Sequence, residues 1–433
     1  MSIQPRRGFL KESGAAVLTA SSYSRVLGAG DRLRVGLIGC GGMMRSHLTK
    51  LLQRTDVEIT GLCEVDSVRL GQARDMVQKK NGKAPSTTKD MRDLLAGPVD
   101  AVFIATPDHW HTPASLLALE AGKHVYVEKP CSHNLREGRL LVEAARRVNK
   151  VVQTGTQSRS TRHVQEAMQA LREGIIGEVL VAKAWNSQRR GNIGRTKPSD
   201  PPASLDFDLW LGPAPQVPFR ANMLPGIWRW WYDYGVGDIG NDGVHDIDIA
   251  RWGLGVERHP DRVAALGGKY FFDDDQQFPD TQYVVFEYEP KGSEKRPRQL
   301  IFEQRIWSPY FQEGYENGNA FYGTKGVLIL GKNGGWRVEG ERNRPGRSAK
   351  GSPDLQAHHD NFLACVKSGQ KPHADAEIGA FSAALCHLAN IATRVGRQLR
   401  VDPAREQILH DEDANAMLRR KYREGHWAVP KSV

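Results

Sequence analysis

Cysteine is scarce in this chain of 433 residues. The five cysteines are an odd number, and no two of them form a C-x-x-C pair. Disulfide frameworks and structural zinc sites need paired cysteines at characteristic spacings, so the pattern argues against both. It is typical of a protein that folds in a reducing compartment, and we predict no metal site.

Long apolar runs are also missing. Nothing in the chain approaches 18 consecutive apolar residues, so we expect no membrane-spanning helix. The chain has no basic low-complexity tail and no nucleic-acid-binding motif, and its formal net charge of +10 fits the surface of a mildly basic soluble enzyme. A chain of this length is long enough for two domains or more.

The first thirty residues differ from the rest. Arg6 and Arg7 precede a weakly apolar run of small residues, GAAVLTASSYSRVLGAG, and this arrangement is similar to a twin-arginine export signal. Such signals export proteins that are already folded, which agrees with thiols that stay reduced. We expect residues 1–30 to be a signal peptide and the protein to reach the periplasm through the twin-arginine export machinery. The alternative is a disordered basic N-terminus.

The remaining chain has two parts that differ in their pattern of predicted strands and helices. From Leu33 to about Lys150, short apolar strands alternate with amphipathic helices, which predicts a doubly wound parallel sheet. Later strands, such as TQYVVFEYEP and RQLIFEQRIW, follow one another without helices, which favours a large, mostly antiparallel open sheet. We predict a Rossmann domain over 31–155. An α+β substrate-binding and oligomerisation domain with a C-terminal helical extension should follow over 156–433, with the Gly-rich stretch 331–357 as a loop.

The loop IGCGGMM, between the first strand and first helix, has the form of a dinucleotide-binding turn. Gly39 permits the tight turn, Gly41 lets the backbone approach the phosphates, and Gly42 adds room beside Met43. Met44 replaces the usual third glycine. That position serves the packing of helix on sheet, so we expect Met44 to lie against the first strand, away from the phosphates.

An acidic residue follows the second strand, where dinucleotide-binding domains bind the ribose. Glu64 lies about 20 residues beyond position 44, as the motif requires. A carboxylate there accepts hydrogen bonds from ribose hydroxyls and repels a 2′-phosphate. We therefore favour NAD over NADP as the cofactor.

Three further stretches resemble the Gfo/Idh/MocA oxidoreductases, which include glucose–fructose oxidoreductase and inositol dehydrogenases. The stretches are ATPDHWHTPASLLALEAGKHVYVEKP (Ala105–Pro130), VVQTGTQSRS (Val151–Ser160) and GVGDIGNDGVHDIDIARW (Gly235–Trp252). The resemblance runs from about Arg34 to the C-terminus, whose segment DNFLACVKSGQKP looks like that of secreted bacterial members. It implies an NAD(P)-dependent enzyme that acts on a carbohydrate and forms a homo-oligomer.

The predicted cofactor residues end two neighbouring buried strands, at the carboxyl edge where doubly wound sheets bind ligands. A lysine in the EKP tripeptide would lie beside the nicotinamide and stabilise a developing alkoxide, and the resemblance implies the same catalytic role. Besides the glycine loop and Glu64, the predicted cofactor residues are Thr106, Pro107, Trp110, His111, Glu128, Lys129 and Gln157.

A base for the hydroxyl proton is offered by NDGVHDIDIARW. His245 and Asp248 are three residues apart, so on a helix they share a face and Asp248 can orient the imidazole. Asn241 stands where the family often has Asp, and it can bind a hydroxyl but cannot take a proton. We therefore assign His245 as the principal base, with Lys129, Asn241 and Asp248 completing the catalytic set. Loop geometry that brings Asp238 or Asp242 into the site remains an alternative.

Candidate substrate residues lie on either side of this motif. Trp228, Trp230 and Tyr234 belong to PGIWRWWYDYG, and clustered aromatics either stack on sugar rings or form buried core. Arg159 and Arg162 follow the GTQ turn and are candidates for contacts with substrate hydroxyl or carboxylate groups.

Three functions fit these residues. The leading hypothesis is an exported oxidoreductase that transfers hydride between a sugar, polyol or glycoside and a tightly bound nicotinamide cofactor. The alternative is a redox-neutral glycoside hydrolase that uses transient ring oxidation and elimination. A third is a non-catalytic sugar-sensing protein, against which the presence of Lys129 and His245 argues.

Overall fold

The computed structural model describes residues 32–433, so the predicted signal peptide lies outside the described residues. Two sheets organise the chain, one six-stranded and one ten-stranded. The predicted fold class, a Rossmann domain followed by an α+β domain, is confirmed.

The first domain alternates strands and helices. All its strand pairs are parallel, in the order β3-β2-β1-β4-β5-β6, which is the doubly wound arrangement. Its elements are β1 (Leu33–Ile38), α1 (Gly42–Leu51), β2 (Val57–Cys63), α2 (Ser67–Asn81), β3 (Ser86–Thr88), α3 (Met91–Ala96), β4 (Ala101–Ile104), α4 (Asp108–Glu120), β5 (His124–Val127), α5 (Leu135–Val148) and β6 (Val152–Thr154).

The second domain is built on the larger sheet, in the order β14-β13-β12-β11-β7-β10-β9-β8-β15-β16. Its pairs are antiparallel except β7 with β10. Its strands are β7 (Val179–Asn186), β8 (Arg262–Gly268), β9 (Thr281–Tyr288), β10 (Arg298–Arg305), β11 (Asn317–Gly323), β12 (Gly326–Gly331), β13 (Gly335–Glu339), β14 (Pro345–Ala349), β15 (Leu399–Asp402) and β16 (Gln407–Ile408). Its helices are α6 (Arg162–Arg172), α7 (Phe207–Leu211), α8 (Val244–Leu254), α9 (Leu355–Ser368), α10 (Ala376–Val395) and α11 (Glu412–Ala416).

The stretch predicted as a loop contains two strands. β13 pairs with β12, and β14 pairs with β13, so the expectation of a loop over 331–357 was wrong for much of its length. Glycine and arginine weaken the local strand signal, but pairing with an existing sheet satisfies the backbone hydrogen bonds whatever the local propensity.

Helices α9 and α10 of the second domain pack against the first domain. Phe362, Leu363 and Cys365 of α9 are buried in the core that contains β1, and α10 packs against both α5 and β8. Among the described helices, α10 alone is long and apolar enough to cross a membrane by length and composition, and 67% of its apolar window is buried within the fold. The two domains therefore share a continuous interior.

Met44 lies in the core, as its position in the sequence led us to expect. Its side chain is 1% exposed and belongs to the cluster that contains Val35 and Leu37 of β1 and Leu48 of α1. Met43, one residue earlier, is 39% exposed. The glycine that usually occupies position 44 is thus replaced by a residue that packs the helix on the sheet.

Replacing Met44 with alanine should lower the free energy of unfolding by about 2–5 kcal/mol, because it opens a cavity in a closely packed core. The matched control is Met43→Ala, which we expect to change it by about 0.5 kcal/mol or less because that side chain is exposed. Chemical denaturation of both variants measures the difference, and equal stabilities would contradict the assigned packing.

Candidate active site

A cavity of about 1220 Å³ runs along the carboxyl edge of the parallel sheet. Its walls come from both domains, so the site exists only in the assembled fold. It is lined by the glycine loop at 39–43, by Glu64 and Asp66 after β2, by Thr106, Pro107, Asp108, Trp110 and His111 after β4, by Glu128 and Lys129 after β5, and by Asn241, Trp427 and residues from 199–229.

The glycine loop fits a dinucleotide diphosphate. Gly39 has φ +81°, and a Cβ there would lie 2.8 Å from the carbonyl oxygen of Ala105, so a side chain is excluded. A Cβ at Gly42 would meet nothing within 4 Å. Helix α1 begins here with no side chain capping its N-terminus, which leaves N–H groups free to bind an anion.

The carboxylate of Glu64 braces this loop. It accepts hydrogen bonds from the backbone N–H of Cys40 at 2.6 Å and of Asp66 at 3.0 Å. One acceptor direction of each oxygen is thereby used, and the others remain for ribose hydroxyls. The ribose contact stays a prediction.

The residues after β4 are held by backbone carbonyls. The ring nitrogens of His111 lie 2.7 Å from the carbonyl oxygen of Pro130 and 3.0 Å from that of Thr106, and Trp110 donates to the carbonyl of Trp210 at 2.9 Å. Both side chains therefore tie together the segments that form the cavity wall. The hydroxyl of Thr106 is buried without a partner among the described residues, so it is free to bond a ligand.

Glu128 is the centre of a buried hydrogen-bond network. Its carboxylate accepts from His47 Nε2 at 3.0 Å, from Gln157 Nε2 at 2.9 Å and from the backbone N–H of Lys129 at 3.2 Å. Burial alone would raise the pKa of Glu128, but the hydrogen bond from His47 and nearby positive charges lower it to about 2. Gln157, predicted near the nicotinamide, thus holds Glu128 in place.

A second histidine extends the network. Because His47 Nε2 donates to a carboxylate, its Nδ1 must accept, and the Nε2–H of His359 donates to it at 2.8 Å. The His359 Nδ1 is then a lone pair, and it is buried without a partner among the described residues. Sequence reasoning missed both histidines, since nothing in the pattern links α1 with α9.

Lys129 is held by the backbone at position 241. Its ammonium donates to the carbonyl oxygen of Asn241 at 2.5 Å, while the side-chain amide of Asn241 donates to Asp238 at 3.0 Å. This bond uses one N–H of the Asn241 amide and leaves the second N–H and Oδ1 for a substrate hydroxyl, so that contact stays a prediction. The residue acts on Lys129 through its main chain.

His245 lies one turn further on, at the start of α8. A π-helical turn, Ile239–Gly243, precedes the helix, and such turns often occur at functional sites. Burial, followed by the positive charges of Lys332 and Lys129, lowers the pKa of His245 to about 3. The imidazole is therefore neutral near pH 7, which is the form that accepts a proton.

Asp248 does not orient His245, which corrects the expectation from the spacing. Its fully buried carboxylate accepts from Arg159 at 2.7 and 3.0 Å and from the hydroxyl of Ser382 at 2.7 Å. Arg159, expected to contact substrate, is itself buried and stacks on Trp252 at 4.8 Å. A buried guanidinium requires an anion, and this need decides where both side chains point.

The alternative acids after Gly237 are also ion-paired. Arg190 binds both Asp238 and Asp242 at 2.9 Å, and Lys332 binds Asp242 at 3.2 Å. Although burial would raise it, the pKa of Asp242 is held well below its usual range by Lys332 and Arg190. Asp242 is therefore not poised to take a proton. Within residues 32–433, no group of three or more His, Cys, Asp or Glu is arranged to hold a metal ion.

The aromatic candidates divide between cavity and core. Trp228 lines the cavity, whereas Trp230 packs on Phe272 and Tyr234 is buried in a separate cluster, so the core interpretation was right for these two. Arg162 is 92% exposed and pairs with a glutamate on its own helix, outside the cavity lining.

Two charged residues of the cavity wall were not identified from the sequence. Asp108 follows Pro107 in the TPDHWH stretch, and its carboxylate accepts from the backbone N–H of Val236 at 3.1 Å. Burial raises its pKa to about 7. Arg229 lies between two of the tryptophans and lines the same cavity. The motif contained Asp108, but its burial depends on packing from the second domain.

The ion pair of Asp248 with Arg159 allows a test of whether Asp248 stabilises the fold or takes part in catalysis. Asp248→Asn should lower the free energy of unfolding by about 3–5 kcal/mol, because it leaves a buried guanidinium without its counter-charge. Glu166→Gln removes the partner of exposed Arg162 and should cost about 1 kcal/mol or less. Denaturation curves measure both, and an unchanged stability for the Asp248 variant would contradict the structural role.

Comparisons with known proteins identify the family of both domains. Residues 33–156 match the Gfo/Idh/MocA family described as "Oxidoreductase family, NAD-binding Rossmann fold", and residues 169–280 and 344–429 match its C-terminal alpha/beta domain. A glycosyl hydrolase family 109 protein of Shewanella baltica is 31% identical over 238 residues, which cover 43% of this chain and 52% of the relative. D-glucoside 3-dehydrogenase of Escherichia coli is 31% identical over 163 residues, which cover 37% and 45%. The chain spans about half the length of the curated relatives that it matches.

Solved structures share the fold. A levoglucosan dehydrogenase in complex with NADH and levoglucosan has a TM-score of 0.66 at 18% identity, covering 85% of this chain and 99% of that one. The WlbA dehydrogenase of Bordetella pertussis, in complex with NADH and UDP-GlcNAcA, has a TM-score of 0.65 at 19% identity, covering 86% and 99%. Since the two domain matches together span most of the chain, it belongs to the Gfo/Idh/MocA family of oxidoreductases, with an NAD-binding Rossmann domain.

Proposed function

We propose that this protein is an NAD-dependent oxidoreductase that moves hydride between a hydroxyl-bearing carbon of a sugar, polyol or glycoside and nicotinamide. The observation that carries the proposal is the place of Lys129 in the wall of a cavity that continues into the glycine loop, with His245 near enough for the charge of Lys129 to lower its pKa. A relative named D-glucoside 3-dehydrogenase and a neighbour that binds levoglucosan support the substrate class.

Each side chain has one task in this reaction. NAD, when bound, supplies the acceptor for the hydride. The ammonium of Lys129, fixed by the carbonyl of Asn241, donates to the substrate oxygen and stabilises its developing negative charge. His245 takes the hydroxyl proton, and its imidazole is free to do so since burial and the positive charges of Lys332 and Lys129 keep it neutral by lowering its pKa. Glu128 keeps Lys129 in place through its backbone N–H.

A redox-neutral glycoside hydrolase is the second candidate. The specific observation in its favour is the similarity to proteins named glycosyl hydrolase family 109. In such a reaction a ring carbon is oxidised, the aglycone is eliminated, water adds and the carbon is reduced again. The same lysine and histidine would serve, since each step moves a proton or stabilises an oxyanion beside that carbon.

Tight retention of the cofactor belongs to this proposal. Segments from the second domain border the cavity, and the backbone hydrogen bonds Ser67 N–H to Ser204 O and Asp206 N–H to Val65 O, both 2.9 Å, tie one of them to the end of β2. Trp427, near the C-terminus, also borders it and packs on the guanidinium of Arg92 at 4.3 Å. A nucleotide held beneath both segments would dissociate slowly.

Export and self-association complete the proposal. The arginine pair at 6 and 7 and the five unpaired, buried cysteines support export of a folded protein by the twin-arginine route to the periplasm. For a homo-oligomer, the support is an exposed apolar face on the large sheet, where Leu266 and Tyr283 lie opposite each other on β8 and β9. Such a face suits contact with a second copy.

Hydride transfer tests the proposed chemistry. Incubating the protein with glycosides deuterated at ring carbons should exchange the label through bound nicotinamide, and Lys129→Ala and His245→Ala should each lower the rate about 10²- to 10⁴-fold. Lys79→Ala, on the exposed face of α2, serves as the control. Accumulation of NADH on the protein, followed by its absorbance, identifies the dehydrogenase, whereas released aglycone without net formation of NADH identifies the hydrolase. Exchange that survives in both active-site variants would contradict the assignment.

The bound nucleotide gives an independent prediction. Protein purified without added cofactor and then denatured should release NAD, which mass spectrometry identifies. Release of NADP would overturn the preference argued from Glu64, and an empty protein would overturn the proposal of tight retention.

A further inference from the structure

The turn that carries Arg229 is rigidly placed. Trp230 and Tyr234, which follow Arg229, are buried, so the turn is anchored in the core on its C-terminal side. A Cβ at Gly235 would lie 2.3 Å from the Cα of Arg229, which shows how closely the two backbone segments approach. The guanidinium is therefore preorganised at the cavity wall.

This guanidinium has no acidic partner among the described residues. No carboxylate lies within 4 Å of it in residues 32–433, and its Nε is buried without an acceptor. The contact that it makes is with the ring of Trp228, whose centroid lies 5.6 Å away. By contrast, the buried guanidiniums of Arg159 and Arg190 are each paired with aspartate.

The acids nearest to Arg229 are engaged by other groups. Asp238 and Asp242 are both ion-paired with other cations. Glu128 and Asp108 line this end of the cavity together with Lys129 and Arg229. Glu128 accepts hydrogen bonds from His47, Gln157 and the backbone of Lys129, and Asp108 accepts one from the backbone N–H of Val236. An unpaired charge in a partly dry cavity is costly, and an anionic ligand would relieve that cost.

We propose that Arg229 binds the carboxylate of an acidic sugar, so that the substrate is a uronic acid or a uronide. The proposal rests on the proposed oxidoreductase function, since it places the carboxylate on the substrate whose hydroxyl meets Lys129 and His245. A planar guanidinium matches a carboxylate through two parallel hydrogen bonds. Trp228, beside it in the cavity lining, offers an aromatic face for the sugar ring.

A carboxylate fits this wall better than a phosphate ester does. The two coplanar oxygens of a carboxylate match the one guanidinium here that has no carboxylate within 4 Å among the described residues. A phosphate carries nearly two charges at neutral pH and is usually bound by several donors together. Lys129 is already engaged by the carbonyl of Asn241 and is needed at the reacting hydroxyl.

Binding measurements test this inference separately from catalysis. The purified protein with its nucleotide is titrated calorimetrically with methyl β-D-glucuronide, methyl β-D-glucoside and glucose 6-phosphate. We expect the glucuronide to bind about 10- to 100-fold more tightly than the glucoside, the range of one charge-assisted, bidentate contact. Arg229→Gln should abolish that preference, Arg229→Lys should keep only part of it, and Arg172→Gln, an exposed arginine on α6, should leave it unchanged.

Three outcomes would overturn the inference: equal affinity for glucuronide and glucoside, tighter binding of the phosphate, or a preference that persists in Arg229→Gln. Thermal unfolding of the variants shows whether a lost preference reflects a lost fold, and in a folded Arg229→Lys protein a preference at the full wild-type level would also count against the role. Failure of the proposed function has a different signature, since label exchange would then be absent while the Arg229-dependent preference remains.

Discussion

The buried carboxylate of Glu128 is the group on which the geometry of the site depends. An anion enclosed by protein must be surrounded by donors, and here they come from α1, from the turn after β6 and from the backbone of Lys129. Through His47 the network also reaches His359 on α9. One charge thus holds together four segments distant in sequence, and Lys129, the proposed catalytic lysine, follows directly after it.

A second constraint acts on the other side of the cavity, where buried acids are paired. Asp238, Asp242 and Asp248 each have a cation of their own. Lys129 and Arg229, which have no carboxylate within 4 Å among the described residues, lie in the cavity wall. The pairing of structural charges therefore determines which charges are available to a ligand.

The local sequence pattern predicted the structure correctly where each strand or helix packs one face against a single core. Strand and helix periodicity predicted the parallel sheet, and the dinucleotide motif placed Gly39, Gly42 and Met44 correctly relative to strand and helix. The pattern did not predict the strands within 331–357, because β13 and β14 form by pairing with a neighbouring strand of the sheet. It also could not separate Trp228 from Trp230, since both belong to a short irregular turn with no periodicity to distinguish wall from core.

The amino-acid sequence by itself determined the order of elements, the glycine loop and the two strand ends that carry Thr106 and Lys129, because these follow from contacts between near neighbours in the chain. Only the tertiary structure decided which partners the buried polar groups take. Asp248 lies three residues from His245, yet it binds Arg159, 89 residues away. A buried charge must find its counter-charge wherever the fold brings one, and helical spacing carries no information about that partner.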